Sequence, residues 1–264
     1  MKYTSYIGIK FIDTCLSIVN RYWPSLWLGI KTTLLISLTG TLIGLLIGLL
    51  VGGLKAIEVE ETSPSYVKIF KKIYDFLSTV YIEVFRGTPM MVQAVFIYYL
   101  LKPALGWTPV IAGIFIISVN TGSYMSEIIR SGIQSVDKGQ KEAARSLGMS
   151  SIQTMRYVIL PQAIKNSFPS MGNEFIVNIK DSSVLNAISV TELYFQSNSI
   201  AGSLFKFKET FFVTACVYLI LTTTTSFILK KIEKKLNNTQ TSFPASQTTH
   251  EVMAHQKKEV GKYE

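Results

Sequence analysis

The chain has 264 residues, 48% of them hydrophobic and 16% charged, with a net charge of +9 and a mean hydropathy of +0.32. A soluble domain carries roughly a quarter charged residues, so part of this chain's solvent is lipid. The positive balance does not point to nucleic acid. Lys and Arg fall between and after apolar runs, as membrane-topology signals do, with no base-stacking arrangement around them.

In chain order, residues 1–20 lack the apolar core and small-residue site of a cleavable signal peptide. Residues 1–24, with Lys2, Lys10 and Arg21, read as a possible interfacial amphipathic helix. A hydrocarbon core about 30 Å thick needs roughly 20 apolar residues in a helix. Residues 27–54, 76–101, 108–129 and 211–229 meet that need, although Glu83, Arg86 and Pro89 interrupt the second run. Within the first, Gly40, Gly44, Gly48 and Gly52 recur at every fourth position. They share one helix face and let another backbone approach closely, inside the protein or between subunits. Cys15 and Cys216 lie far apart with no metal or redox spacing, and read as packing residues.

Charge placement adds a fifth crossing. Arg130, Lys138, Lys141, Arg145, Arg156 and Lys165 mark one cytoplasmic segment, and Lys230, Lys231, Lys234 and Lys235 another. A single span between them would put them on opposite faces. Residues 168–190 therefore cross as well, despite Glu174, Lys180 and Asp181, with neighbouring helices shielding the charges. The expected fold is an all-α integral membrane protein of about five spans over residues 25–236, with the amino terminus outside and the carboxyl terminus cytoplasmic. Lys55, Lys68, Lys71 and Lys72 agree in the first cytoplasmic connection. Residues 237–264 are polar and aperiodic, and read as a disordered cytoplasmic tail. They hold the only histidines, His250 and His255, which have no partners for a metal site.

The connection between spans three and four carries the most local information. Asp137 and Gln140 have capping-box spacing, Gly148 suits a left-handed helix end, and Ser150 with Gln153 repeats the box. Pro161 should interrupt or bend the chain before it re-enters the membrane. Two short cytoplasmic helices follow, the first small enough at Ala143 and Ala144 to fit a groove on another protein.

From Glu142-Ala143-Ala144 through Gly148 to Val158, Leu160 and Pro161, this loop resembles the EAA motif of ABC importer permeases. Val158 stands where that pattern usually has Ile. The resemblance implies a coupling loop (Glu142, Ala143, Ala144, Leu147, Gly148, Leu160 and Pro161) docking into an ATP-binding cassette ATPase subunit. It also implies a second permease chain, an extracytoplasmic substrate-binding protein, and a bacterial cell membrane. Glu83-Val84-Phe85-Arg86-Gly87-Thr88-Pro89 with Val92-Gln93, and Lys180-Asp181-Ser182-Ser183, resemble stretches of the polar amino acid permeases.

No catalytic constellation is present, and the glycine-rich run at 48–53 lacks the Gly-Lys-Ser/Thr ending of a phosphate loop. No cofactor is expected in this chain; ATP and Mg belong to the partner. Pathway candidates are the polar residues inside spans: Glu83, Arg86 and Gln93; Asn120, Tyr124 and Glu127; Glu174, Asn178, Lys180, Asp181 and Ser182. Any of these could instead form structural ion pairs. A secondary transporter would show repeated spans and need no such loop; a membrane enzyme would need a nucleophile, metal cluster or cofactor motif.

Overall fold

A computed structural model describes residues 2–57, 59 and 63–238. The tail from 239 onward, including His250 and His255, lies outside the described residues. Among the described residues every regular element is helical: α1 (Lys2–Ala56), α2 (Ser65–Gly87), α3 (Met90–Leu105), α4 (Pro109–Gln134), α5 (Lys138–Ser146), α6 (Ser151–Thr154), α7 (Leu160–Asp181), α8 (Leu193–Leu204) and α9 (Phe207–Asn238). A π-helical turn, Met155–Ile159, joins α6 to α7, and a 3-10 helix, Ser182–Ile188, extends α7.

Among the described residues three single helices are long and apolar enough to cross a membrane: Lys10–Ala56, Pro109–Gln134 and Phe207–Leu236. The first corrects the expectation of a separate amino-terminal segment. Residues 10–24 belong to the same helix as the first span, with Pro24 tolerated inside it. Its 47 residues reach about 70 Å, more than twice the hydrocarbon thickness. Cys15, Ile18, Leu26 and Ile30 pack with Leu193 and Ile200 of α8 and Val213 of α9.

The glycine ladder packs inside the subunit, against α4. A Cβ added at Gly40 would stand 2.5 Å from Ile117, and one at Gly44 2.8 Å from Thr121. One at Gly48 would collide with Met125, and one at Gly52 with the carbonyl of Ser126. With glycine on its side of the seam, the α1 backbone comes against Ile117, Thr121, Met125 and Ser126 of α4 and gains dispersion contacts that lipid does not offer. α4 is the central helix: 61% of its most apolar window is buried, against 11% for α9.

The second expected span is not one straight helix. α2 and α3 pass the hydropathy test together but meet at 112° across Thr88 and Pro89. Pro89 removes a backbone donor and biases Thr88 to extended backbone, seen as φ −123 and ψ 147. Both helices leave large apolar side chains uncovered, such as Phe70, Phe76, Phe96 and Leu100.

α7 begins at Leu160, eight residues before the expected start, and yields to the 3-10 helix at Ser182. It packs among α1, α4 and α9, and the seam is polar. Asn178 is 2% exposed; its Nδ2 donates to Thr41 Oγ1 at 2.8 Å and to Thr121 Oγ1 at 2.9 Å. Ser37 Oγ donates to the Asn178 carbonyl at 2.9 Å. One residue thus joins three helices.

A second buried staple, absent from the sequence expectations, is Glu192. Its carboxylate caps α8, accepting from Tyr194 N at 2.8 Å, Phe195 N at 2.7 Å and the Tyr218 hydroxyl at 3.1 Å. Leu193 N in turn donates to Thr33 Oγ1 at 3.2 Å, so α1, α8 and α9 meet there.

Candidate functional site: the coupling loop and the broken helix

The loop between α4 and α7 is built from its own caps. Asp137 Oδ1 accepts from Gly139 N at 2.7 Å, while Gln140 N donates to the Asp137 carbonyl at 3.1 Å. The cap forms, but at the second amide instead of as the box the spacing suggested. Gly148 holds φ +79. Its N–H donates to Arg145 O at 2.9 Å, and Met149 N donates to Ala144 O at 3.2 Å. That pair of bonds is a Schellman ending, which needs the left-handed residue. The second box is complete: Ser150 N donates to Gln153 Oε1 at 2.9 Å and Gln153 N to Ser150 Oγ at 3.3 Å.

Of the two outcomes expected at Pro161, an interruption or a bend, the chain is not interrupted. The helix runs through, with the π turn immediately before Leu160. A proline ring clashes with the carbonyl four residues earlier, and the wider π turn relieves that clash without breaking the helix. Val136, Ile159 and Ala163 form a small core that pins the loop, joined by Val158. Ala144 is buried on the inner side, while Glu142, Ala143 and Gly148 are exposed. Leu147 is 84% exposed, and Ile152 and Tyr157 are exposed beyond it. The loop presents an apolar outer face on a rigid support. Leu160 is half-buried and Pro161 exposed at the foot of α7.

The other candidates gather at the bend between α2 and α3. Gln93 is 7% exposed. Its Nε2 donates to Phe85 O at 2.9 Å, Thr88 O at 2.9 Å and Thr88 Oγ1 at 2.8 Å. Asn120 Nδ2, from α4, donates to Gln93 Oε1 at 2.9 Å and to Phe85 O at 3.3 Å. Thr88 Oγ1 closes the set by donating to Val84 O at 2.7 Å. A helix end inside a membrane has carbonyls that water cannot reach, so side chains satisfy them.

Beside the bend, Arg86 stacks over Tyr124 at 5.4 Å from the ring centre and lies 3.9 Å from Glu127 Oε2. Glu127 is gripped more tightly by Arg130, through Nη2 at 2.8 Å and Nε at 3.1 Å. These groups line a cleft of about 390 Å³ together with Asn166 and Ser170 of α7. Glu174, half-buried on α7, lies within electrostatic range of Arg86 and Asp181. Lys180 and Asp181 are exposed at the end of α7, and Glu83 is exposed on α2. Ser182 is buried, its hydroxyl donating to Ile179 O at 2.9 Å.

Of the expected pathway residues, then, Arg86, Tyr124 and Glu127 share one cleft. The side chains of Gln93, Asn120, Asn178 and Ser182 are engaged within the fold. Asn166 and Ser170 were missed as lining residues. The signal was available: Asn166, Ser170 and Glu174 stand four apart, a polar stripe on one face of a helix.

Residues 65–238 match the family described as "Binding-protein-dependent transport system inner membrane component". The chain belongs to that family. It is 39% identical over 224 residues to the glutamine transport system permease protein GlnP of Escherichia coli (strain K12), covering 82% of this chain and 96% of that one. A putative glutamine transport system permease protein of Rickettsia bellii is 41% identical over 158 residues, 59% of this chain and 72% of the relative. Among solved structures, an amino acid ABC transporter crystallised with histidines superposes with a TM-score of 0.72 at 38% identity, over 83% of this chain and 97% of that one. The MetNI methionine transporter shares the fold, with a TM-score of 0.70 at 18% identity, over 81% of this chain and 97% of that one. This chain is thus an all-α, multi-pass permease subunit of an ATP-driven importer, and ATP hydrolysis belongs to a separate subunit.

Proposed function

We propose that the cargo of this permease is a polar amino acid, handed over by an extracytoplasmic binding protein and moved inward as the ATPase subunit works on the loop around Glu142 to Gly148. The observation that carries the reading is that loop: a Schellman-ended helix, α5, with Leu147 almost fully exposed at its end and Ala144 buried behind it, followed by α6, which runs through the π turn into α7. Movement of the loop therefore moves a helix packed in the centre of the subunit. Coupling requires that the loop contact its partner differently in two states of the cycle. Glu142, Ala143, Ala144, Leu147 and Gly148 form the docking end, while Leu160 and Pro161, at the foot of α7, carry the coupling into the membrane. ATP and Mg are held by the partner, and a second permease chain completes the pathway.

The topology that fits is five crossings, by α1, the bent α2–α3 pair, α4, α7 and α9, with the amino terminus outside and the carboxyl terminus in the cytoplasm. The polar seam at Asn178 supports α7 as a crossing, because it satisfies inside the protein what lipid would not. For the cargo, the cleft of Arg86, Tyr124 and Glu127, with Glu174 in range, offers cationic and anionic partners for an α-carboxylate and an α-ammonium. Lys180 and Asp181 lie further along α7, past Glu174, and Glu83 stands near the bend. The names of the related permeases, which concern glutamine, support an amino acid cargo.

The test is purification of the tagged chain with its neighbouring gene products, beside a Gly148→Asp variant, followed by uptake of a panel of amino acids into ATP-loaded vesicles. An L side chain at a left-handed residue costs about 1–2 kcal/mol, so the loop helix loses its ending. The ATPase subunit co-purifies with the wild type and is depleted with the variant. Uptake confined to sugars or peptides would refute the cargo.

A further inference from the structure

The bend between α2 and α3 holds two buried amides whose hydrogen bonds go to the chain itself, at the residue just before Arg86. Phe85 O receives both Gln93 and Asn120, and the next side chain along is the arginine that faces Tyr124 and Glu127. Gln93 comes from α3 and Asn120 from α4, and they bond to each other. The side-chain amides of the pair bond to the end of α2 and to each other. Satisfaction of two carbonyls would not by itself need residues from two helices; a local hydroxyl serves Val84, through Thr88.

We propose that Gln93 and Asn120 are positioning residues: a clamp that sets the direction in which the end of α2 presents Arg86 to the cleft. Arg86 is 42% exposed along its side chain, so cleft walls alone do not hold it. Its stem is aimed by the Phe85–Gly87 backbone. With the clamp in place, the guanidinium reaches Tyr124 and Glu127 on α4, the same helix that supplies Asn120. The arginine is thereby referenced to α4 twice, once through its backbone and once through its charge. Arg130, which bonds both oxygens of Glu127, also lines the larger cleft of about 890 Å³ at the coupling loop. The angle of the bend and the state of the loop therefore bear on the same carboxylate. This inference rests on the reading of Arg86 as a pathway residue.

The test uses the complete transporter, reconstituted in vesicles with its ATPase, second permease chain and binding protein. Uptake of the cargo is measured against loaded binding protein, with ATP hydrolysis in the same vesicles. The variants are Gln93→Ala, Asn120→Ala, Gln93→Glu and Arg86→Ala, with each clamp change also placed in the Arg86→Ala background. Misaiming a group without removing it costs on the order of tenfold in rate. Each clamp variant therefore lowers maximal uptake by about tenfold with basal ATP hydrolysis retained, and by less than about twofold once Arg86 is gone, because coupled residues are non-additive. Gln93→Glu keeps the acceptor for Asn120 but not the donors for Phe85 and Thr88, so it behaves as Gln93→Ala does. Losses that multiply in the Arg86→Ala background overturn the proposal. So does an unimpaired Arg86→Ala, or failure of every clamp variant to assemble, which would make the pair structural only. Wild-type vesicles without ATP-dependent amino acid uptake would instead sink the underlying function.

Discussion

Two seams hold the centre of this subunit, and they work by opposite means. α1 meets α4 along four glycines, with nothing polar required, and the seam is closed by backbone proximity. α7 meets α1 and α4 through Asn178, Thr41, Thr121 and Ser37, with hydrogen bonds at 2.8–3.2 Å. The first seam lets an apolar helix choose a partner when lipid is an equally good solvent for its side chains. The second lets a helix too polar for lipid stay in the membrane at all. The difference shows that burial in this protein means removal from lipid, so small size and hydrogen bonding do the work that apolar area does in water.

The sharpest way to break the comparison is to put a side chain into the glycine seam. Gly48→Leu drives a side chain into Met125 and its backbone, and we expect about 3 kcal/mol of destabilisation or outright failure to fold. Recovery of monodisperse protein from detergent extracts measures it. The polar seam should give way more gently. Asn178→Leu removes bonds worth about 0.6 kcal/mol each in membranes, for a loss of about 1–2 kcal/mol by denaturant unfolding in mixed micelles. A larger loss than Gly48→Leu would reverse the ranking of the two seams. Glu192→Gln keeps the shape of the α8 staple but turns one acceptor into a donor facing backbone amides; we expect about 1 kcal/mol in the same assay. The smallest effect sharpens the argument most. Gly53 lies next to the ladder, yet a Cβ there meets nothing within 4 Å. Gly53→Ala should therefore change stability by less than about 1 kcal/mol, in the favourable direction, through helix propensity.

Much of the coupling loop was legible beforehand because its determinants are local. Asp137, Gly148, Ser150 and Gln153 act on amides and carbonyls within a few residues, and capping and left-handed geometry follow from residue type. The exception, Asp137 bonding to Gly139 instead of Gln140, is a choice of one amide within a single turn. Pro161 is settled less locally. Its missing donor is local, but the π turn that absorbs it packs through Ile159 against Val136, from the connection after α4, and Ala163 of α7. The bend at Thr88 was signalled by Pro89 yet read as a disturbance in a straight span. The carbonyls freed at the 112° bend are met by Gln93 and by Asn120, 27 residues further along.

The same division runs through the whole protein. Residue order alone determined that the chain lives in a membrane, where its apolar helices lie, which connections carry positive charge, and that a capped two-helix loop joins α4 to α7. Hydropathy, charge and caps are properties of short windows. Tertiary structure decided which face the glycine ladder meets, how far α1 extends, which buried amides serve the fold and which charges share a cleft. Those depend on what stands opposite a residue, and in a bundle of helices the opposite residue is supplied by a distant part of the chain.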